Sequence, residues 1–290
     1  MPSLLSRLVP LYFRATRANR IYVSTEAADR HVEKRRRQQP VATAPRRIRR
    51  EFDVTTDTSR GWPVATVTPR AANGRAVVYV HGGAWVNDIV RPHWQLIGEI
   101  ARAGTTVVVP LYPLVPFGTA KQVVDAVVGL VADSDIPTSL AGDSAGGQIA
   151  LSAALVLRDR GHVVPMTVLI APALDLAMRN PEMDVVQPTD PWIAKPGTRV
   201  FVEWWRGELP VLDPRVSPIE GELAGLGPLL IFSGTRDILN PDARLQADRA
   251  RTAGVEVEYH QGEGLVHVYP LTPTREGRDA RRRIVSGLSA

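Results

Sequence analysis

A serine, an aspartate and a histidine, widely spaced along the chain, are the residues whose types could together perform nucleophilic catalysis. Ser144 stands in the sequence Gly-Asp-Ser-Ala-Gly, between an apolar segment and a helix-like run. A serine on a sharp turn from strand to helix needs small residues two positions away on either side, because its backbone is strained and its neighbours crowd it. Acyl transfer at such a serine also needs a base that takes the hydroxyl proton and an acid that orients the base. We expect His267 to be the base and Asp237 to be the acid.

The choice of base and acid rests on where each residue stands relative to a predicted strand. The chain has six histidines, and only His267 lies just after the last predicted strand and downstream of an aspartate that ends a strand. A surface or core histidine is the alternative. Asp242 and Glu263 compete with Asp237 for the role of acid. We favour Asp237 because it directly follows a buried strand, which would hold its side chain rigidly, whereas Asp242 is placed to cap a helix and Glu263 lies in a loop.

A glycine pair follows another apolar run, at residues 76–80. Glycines let a backbone approach a ligand closely with its N–H groups exposed. We therefore predict that the N–H groups of Gly82 and Gly83 form an oxyanion hole together with that of Ala145. A plain glycine turn is the alternative for the pair taken alone. His81, directly before the pair, is expected to bond the backbone of the loop.

Two residues beside these groups are candidates for contact with the substrate. Trp85 follows the glycine pair and is predicted to line an apolar pocket for the acyl or alcohol group, although tryptophans are more often core or interface residues. Asp143 precedes the nucleophile, and we expect it to support the turn by hydrogen bonding rather than to take part in the chemistry.

Strands and helices alternate from residue 76 onward, which predicts a mostly parallel sheet with helices on both faces. A hairpin of two strands, at residues 51–56 and 62–68, precedes this region. The predicted later strands lie at residues 76–80, 105–111, 139–143, 166–174, 229–232 and 255–260, and the predicted helices at 94–103, 119–132, 145–160, 242–252 and 273–288. Enzymes on such sheets place their chemistry at the carboxyl ends of strands, where the glycine pair, Ser144 and Asp237 all stand.

Two segments outside this alternation are predicted to form a helical cap over the sheet. The first is a basic arm at residues 1–50, with helices at residues 3–22 and 25–39, the first of them split or kinked at Pro10. The second is an insertion at about residues 177–212, which is rich in proline and carries Trp192, Trp204 and Trp205. The rest of residues 51–290 would form the main domain. The arm could be a lid, a contact with a second copy of the chain or a surface patch.

Composition and charge narrow the choice of partners and compartment. The net charge of +5 is uneven, because residues 1–50 alone carry +10. No nucleic-acid recognition module accompanies this charge, so nucleic acid is not expected, and weak contact with an acidic membrane surface stays open. The chain contains no cysteine, which excludes disulfides, thiolate nucleophiles and cysteine metal sites. With no apolar run long enough for a signal peptide or a membrane span, a cytoplasmic protein is expected.

The motifs together resemble the hormone-sensitive-lipase-like α/β-hydrolases, a family of esterases with an HGG motif and GDSAGG around the nucleophile. The resemblance covers roughly residues 76–269, including Asp-Pro-Arg-Val-Ser-Pro at 213–218 and Gly-Thr-Arg-Asp-Ile-Leu at 234–239. The order Ser144, Asp237, His267 is that of this fold. The resemblance implies a carboxylesterase with an N-terminal cap, a small-molecule ester as substrate, and no metal or organic cofactor.

Two departures from the family pattern bear on the substrate. The usual third glycine of HGGG is Ala84, and residues 112–117 lack the arginine and glutamate of the family's stretch. With Ala-Trp-Val at 84–86 and His-Trp at 93–94, the chain is more similar to the acetyl-ester (steryl acetyl hydrolase-like) branch. We therefore expect hydrolysis of short-chain esters. An amide hydrolase of the arylformamidase type would use the same triad, and a ligand receptor on a hydrolase scaffold is a more distant alternative because His267 is retained.

Overall fold

An eight-stranded sheet forms the centre of the computed structural model, which describes residues 2–38 and 42–290. The strands are β1 (Asp53–Asp57), β2 (Val64–Thr68), β3 (Ala76–Val80), β4 (Thr106–Pro110), β5 (Thr138–Asp143), β6 (Thr167–Ile170), β7 (Leu229–Arg236) and β8 (Val257–Val266). Their order across the sheet is β1-β2-β4-β3-β5-β6-β7-β8. Strand β2 pairs antiparallel with both β1 and β4, and the other pairings are parallel. The predicted mostly parallel sheet is confirmed.

Ten α-helices lie within the described ranges. They are α1 (Leu4–Ala15), α2 (Thr25–Arg37), α3 (Arg46–Glu51), α4 (Arg91–Arg102), α5 (Ala120–Ala132), α6 (Ala145–Asp159), α7 (Glu182–Val186), α8 (Lys195–Arg206), α9 (Asn240–Thr252) and α10 (Arg275–Ser289).

The two faces of the sheet are covered by different helices. Alternate side chains of β3 point to opposite sides, as the pleat of a strand requires. Val78 and Val80 join an apolar cluster with α5, α6, α8 and α9, and Val77 and Tyr79 join a second cluster with α3, α4 and α10. This double burial explains why β3 reads as an uninterrupted apolar run.

Several predicted elements differ in their bounds. Helix α1 continues through Pro10 without a break, so Pro10 does not split it, and a kink there stays a prediction. Strand β8 extends to Val266, so the glycine-rich segment predicted as a loop is part of the strand. A Cβ at Gly234 of β7 would collide with the carbonyl of Leu265, so glycine here permits close pairing of two strands. The predicted end of the second arm helix at Gln39, and Pro40 after it, lie outside the described residues.

The arm and the insertion pack against each other above the sheet. The N–H of Gly197 in α8 donates to the carbonyl of Tyr22 at 2.9 Å, and the Tyr22 ring meets Phe201 edge-on with centroids 5.9 Å apart. Helix α3 belongs to the other side of the sheet, where Ile48 is buried in the cluster with α4. The division of the chain at residue 50 therefore stays a prediction.

Candidate active site

The turn between β5 and α6 holds Ser144 in a strained conformation. Its φ and ψ are 53° and −117°, a region that costs a non-glycine residue on the order of 1–3 kcal/mol. A Cβ at Gly142 would collide with the carbonyl of Gly146, and a Cβ at Gly146 with the carbonyl of Val80. The small residues that the sequence places around the serine are therefore required by direct backbone contact.

Three buried side chains form one chain of hydrogen bonds at this turn. His267 Nε2 lies 2.9 Å from Ser144 Oγ, and His267 Nδ1 lies 2.7 Å from Asp237 Oδ2. The second carboxylate oxygen of Asp237 accepts the N–H of Leu239 at 2.9 Å, which holds the carboxylate in place. Burial lowers the pKa of His267, but the charge and hydrogen bond of Asp237 outweigh burial and hold this pKa above its usual value. With Nδ1–H donated to Asp237, Nε2 is free to accept the serine proton.

The competing carboxylates contact other partners. Asp242 Oδ1 accepts from Asn180 Nδ2 at 2.8 Å, and Glu263 accepts a hydrogen bond of 3.3 Å from the hydroxyl of Thr235. The structure thus brings Asp237 to His267, and Asp242 and Glu263 are engaged elsewhere.

The glycine loop after β3 differs in one respect from the predicted oxyanion hole. The N–H of Gly82 donates to Asp143 Oδ1 at 3.0 Å, so it is not available to a substrate. Gly83 and the next residue, Ala84, line the same cavity as Ser144. In the part of the chain that the structure describes, the N–H groups of Gly83, Ala84 and Ala145 donate to no protein acceptor. The free donors are therefore displaced by one residue along the loop, because Asp143 occupies the first of them.

Asp143 is buried beneath this loop as a hydrogen-bond acceptor. Its Oδ1 accepts the hydroxyl of Tyr79 at 2.7 Å, and its Oδ2 lies 3.2 Å from Nε2 of His93. Burial raises the pKa of Asp143. The charge of His93 and the hydrogen bonds to the carboxylate have a larger, opposite effect, so the pKa of Asp143 lies below its usual value. The carboxylate borders the cavity, and its contacts agree with the predicted support of the turn.

The imidazole of His81 supports the loop from the side. Its Nδ1 lies 2.7 Å from the carbonyl of Gly82, and its ring stacks on Tyr112 with centroids 4.5 Å apart. Burial lowers the pKa of His81 to about 4, so the ring is neutral and its Nδ1–H donates to the carbonyl. This is the backbone contact predicted for His81.

Trp85 does not border the cavity. Its ring is buried, stacks on Trp205 with centroids 5.7 Å apart, and donates from Nε1 to Gln148 Oε1 at 3.1 Å. Trp205 donates to the same oxygen at 2.9 Å. The backbone is left-handed at both Ala84 and Trp85, with φ of 51° and 58°. This turn directs the Trp85 side chain away from the cavity, and its position next to the glycine pair in the sequence does not predict it. The structure therefore places Trp85 in the core that anchors α8, not in the predicted acyl or alcohol pocket.

A cavity of about 1120 Å³ lies over Ser144 and His267. Its wall is mainly apolar and comes from the arm, the glycine loop and the insertion. The arm supplies Leu5, Leu8, Val9, Tyr12 and Phe13. From the insertion, Trp192 meets the ring of His267 edge-on with centroids 5.5 Å apart, and Phe13 packs on Trp192 at 4.7 Å. From the sequence, Trp192 was only one of three tryptophans in the insertion. No pattern in the sequence predicts its contact with Phe13 of α1.

The described residues form neither a metal site nor a helix that could cross a membrane. Residues 2–38 and 42–290 contain no group of three or more histidine, aspartate or glutamate side chains arranged to hold a metal ion. Within the same ranges, none of the helices has the length and apolar character needed to cross a bilayer.

Comparisons with known proteins identify the family of the chain. The α/β hydrolase fold family matches residues 77–271. A triacylglycerol lipase of Mycobacterium tuberculosis is 34% identical over 219 residues, which cover 73% of this chain and 46% of the lipase. This chain therefore spans less than half of that relative. An acetyl-hydrolase of Streptomyces hygroscopicus is 30% identical over 226 residues, 74% of this chain and 75% of the hydrolase.

Solved structures of two esterases share the whole architecture. An esterase from the bacterial hormone-sensitive lipase family has a TM-score of 0.72 and 26% identity, and the match covers 90% of this chain and 97% of that one. An esterase/lipase from an uncultured bacterium has a TM-score of 0.73 and 25% identity, with 92% and 90% covered. The predicted fold and family resemblance are thus confirmed. The chain belongs to the α/β-hydrolase family, within its hormone-sensitive-lipase-like group.

Proposed function

We propose that the protein is a serine carboxylesterase for short-chain esters, in which Ser144 is the nucleophile, His267 the base and Asp237 the orienting acid. The observation that carries this proposal is the continuous hydrogen-bonded chain from Asp237 through His267 to Ser144 at the base of the cavity. His267 takes the proton of Ser144 as Oγ attacks the ester carbonyl, and then gives that proton to the departing alcohol. A water molecule, deprotonated by the same imidazole, releases the acid and restores the serine.

The negative charge that develops on the carbonyl oxygen requires donors in fixed positions. We assign this role to the N–H groups of Gly83, Ala84 and Ala145, which are free of protein acceptors within the described residues. Ala145 begins α6, so the helix dipole adds to its N–H. Gly82, predicted as a donor, instead holds the loop against Asp143.

The preference for short acyl groups draws on the acetyl-ester resemblance and on the acetyl-hydrolase relative. The cavity of about 1120 Å³ exceeds the space that an acetyl group needs, so we assign much of it to the alcohol part of the ester. An amide hydrolase of the arylformamidase type would use the same three residues. A receptor on this scaffold is disfavoured, because the base is present and hydrogen-bonded to the serine.

An acyl-length series tests both the reaction and the substrate class. We expect kcat/KM for p-nitrophenyl esters to be highest for acetate to butyrate and at least about 10-fold lower for palmitate, because an acyl chain longer than its pocket clashes with the wall in the transition state. N-formyl-aniline should turn over far more slowly than phenyl acetate. A maximum at palmitate would contradict the short-chain assignment, and faster cleavage of the amide would favour the arylformamidase alternative.

We also propose that the arm contacts an anionic lipid surface through α1. Leu4 is 74% and Leu11 57% exposed on this helix, and Leu5, Leu8 and Tyr12 beside them are exposed at the mouth of the cavity. Arg14 and Arg17 follow, in an arm with a net charge of +10. An amphipathic helix with a basic flank binds anionic headgroups and buries its apolar face in the interface. An apolar substrate could then enter the cavity directly from the lipid.

Vesicle flotation tests this contact. We expect the protein to float with vesicles of phosphatidylcholine and phosphatidylglycerol, less with phosphatidylcholine alone, and to be released by high salt. The double variant Leu4→Ser/Leu11→Ser should bind at least about 5-fold more weakly, because two apolar side chains leave the interface. The matched control Val185→Ser/Leu245→Ser removes exposed apolar side chains elsewhere and should bind as the wild type does. Equal binding by both variants, or a change only in self-association on gel filtration, would contradict the lipid contact.

The cytoplasmic location stays a proposal. It is supported by the absence of cysteine from the sequence, which suits a reducing compartment.

A further inference from the structure

Asp190 connects the cap insertion to the loop that carries the catalytic acid. Its Oδ1 accepts the N–H groups of Trp192 at 2.8 Å and Ile193 at 3.0 Å, and its Oδ2 accepts the N–H of Ile238 at 3.0 Å. Ile238 is the residue after Asp237. One partly buried carboxyl group therefore joins two segments that are about 48 residues apart in the chain.

The same contacts fix the aromatic cover of the base. Trp192 is held through its own N–H, and its ring stands at 78° to the ring of His267 with centroids 5.5 Å apart. Phe13 of the arm packs on the ring of Trp192 with centroids 4.7 Å apart. A shift of the segment after Asp190 would therefore uncover the imidazole to water, which weakens the electrostatic interactions of the site.

Titratable groups lie around Asp190 on three sides. Asp237 and His267 face it from the site, and the hydroxyl of Tyr22 faces it from the arm. Arg236 lies on the β7 side, where its Nη2 donates to the carbonyl of Thr189 at 3.3 Å. Burial, with the negative charge of Asp237, raises the pKa of Asp190 to about 7, while the N–H bonds oppose that rise. The charge of Asp190 in turn raises the pKa of His267.

We propose that Asp190 is a positioning residue of the hydrolysis, which fixes the loop of Asp237 and the ring of Trp192 around the His267 imidazole. This inference rests on the proposed roles of Ser144, His267 and Asp237. A carboxylate on an imidazole's hydrogen-bonded side favours the imidazolium that forms during attack. Asp190 supplies a second negative charge there without bonding the ring itself.

The variant Asp190→Asn separates this role from a merely structural one. The amide keeps the size of the side chain but removes the charge, and its NH₂ cannot accept the N–H of Ile238. We expect kcat for p-nitrophenyl acetate to fall about 10-fold and the acid limb of kcat/KM to move to lower pH by about half a unit. The sign follows because loss of a nearby negative charge lowers the pKa of His267, so the base stays unprotonated to lower pH.

The control for charge is Glu203→Gln, which removes one negative charge from the same insertion at an exposed position paired with Arg206. It should leave the pH profile unchanged. Asp190→Glu keeps the charge but displaces the N–H contacts, so kcat should fall while the acid limb stays near that of the wild type.

A measurement that needs no catalytic turnover tests the role of Asp190 separately from the proposed roles of Ser144, His267 and Asp237. We would follow the titration of the His267 ring by NMR in Ser144→Ala and in Ser144→Ala/Asp190→Asn. A lower midpoint in the double variant supports the role of Asp190, whatever the activity of the wild type proves to be. An unchanged midpoint in a folded variant, or a drop in kcat with an unmoved acid limb in Asp190→Asn, would overturn it.

Discussion

Replacement of Ser144 by alanine is expected to lower kcat for p-nitrophenyl acetate by at least about 10⁴-fold. The hydroxyl is the only group at this position that can form the acyl-enzyme, and His267 Nε2 lies 2.9 Å from its oxygen. Alanine keeps the Cβ, so the strained turn at φ 53° and the melting temperature should change little. Initial rates, corrected for spontaneous hydrolysis, measure the loss.

Two further measurements make the result specific to Ser144. The control Ser286→Ala removes a hydroxyl from an exposed position of α10 and should retain full activity. A fluorophosphonate should add once to the wild type, on the peptide that contains Ser144, and should not add to Ser144→Ala. Activity above about 1% of wild type in a folded Ser144→Ala variant would contradict the assigned nucleophile, as would labelling at another residue.

Replacement of Asp237 by asparagine is expected to lower kcat by about 10³- to 10⁴-fold. The amide would present either a donor or a neutral acceptor to His267 Nδ1, which now lies 2.7 Å from a carboxylate oxygen. A donor there favours the tautomer with its proton on Nε2, and that tautomer cannot take the serine proton. Loss of the charge also removes what holds the pKa of His267 above its usual value, so the residual activity should persist to lower pH. A pH series of kcat/KM measures both effects.

The competing acids provide the control for this variant. The Glu263 carboxylate accepts a hydrogen bond from the hydroxyl of Thr235. We expect kcat of Glu263→Gln to stay within about 2-fold of wild type, because substitutions of exposed side chains away from the site have small effects. The reverse pattern, with Glu263→Gln strongly impaired and Asp237→Asn active, would show that the acid comes from the other loop.

The strands and the turn of Ser144 could be predicted because residues close together in the sequence determine them. Gly142 is needed by a contact within the turn of Ser144, and Gly146 by the neighbouring strand β3, whose apolar run reflects burial on both faces. The carboxyl ends of parallel strands meet at one edge of a sheet. That rule is enough to bring Ser144, Asp237 and His267 together from distant parts of the chain.

The predictions for Gly82 and Trp85 differ from the structure because the role of each residue depends on a partner far away in sequence. The N–H of Gly82 is taken by Asp143, 61 positions later, and Trp85 turns into the core to share Gln148 with Trp205. Neither contact leaves a pattern near the glycine pair. A backbone donor is free or occupied only once the whole fold has formed around it.

The amino-acid sequence alone therefore specified the class of fold and the set of residues from which a serine hydrolase site could be built. The folded chain decided how that site is enclosed. Helix α1 of the arm and Trp192 of the insertion enclose His267, and Asp190 joins the insertion to the loop of Asp237. These contacts depend on packing between segments that share no local periodicity. Hydrogen bonds along a strand or a turn are encoded nearby, whereas the walls of a cavity are set by which distant surfaces bury each other's apolar area.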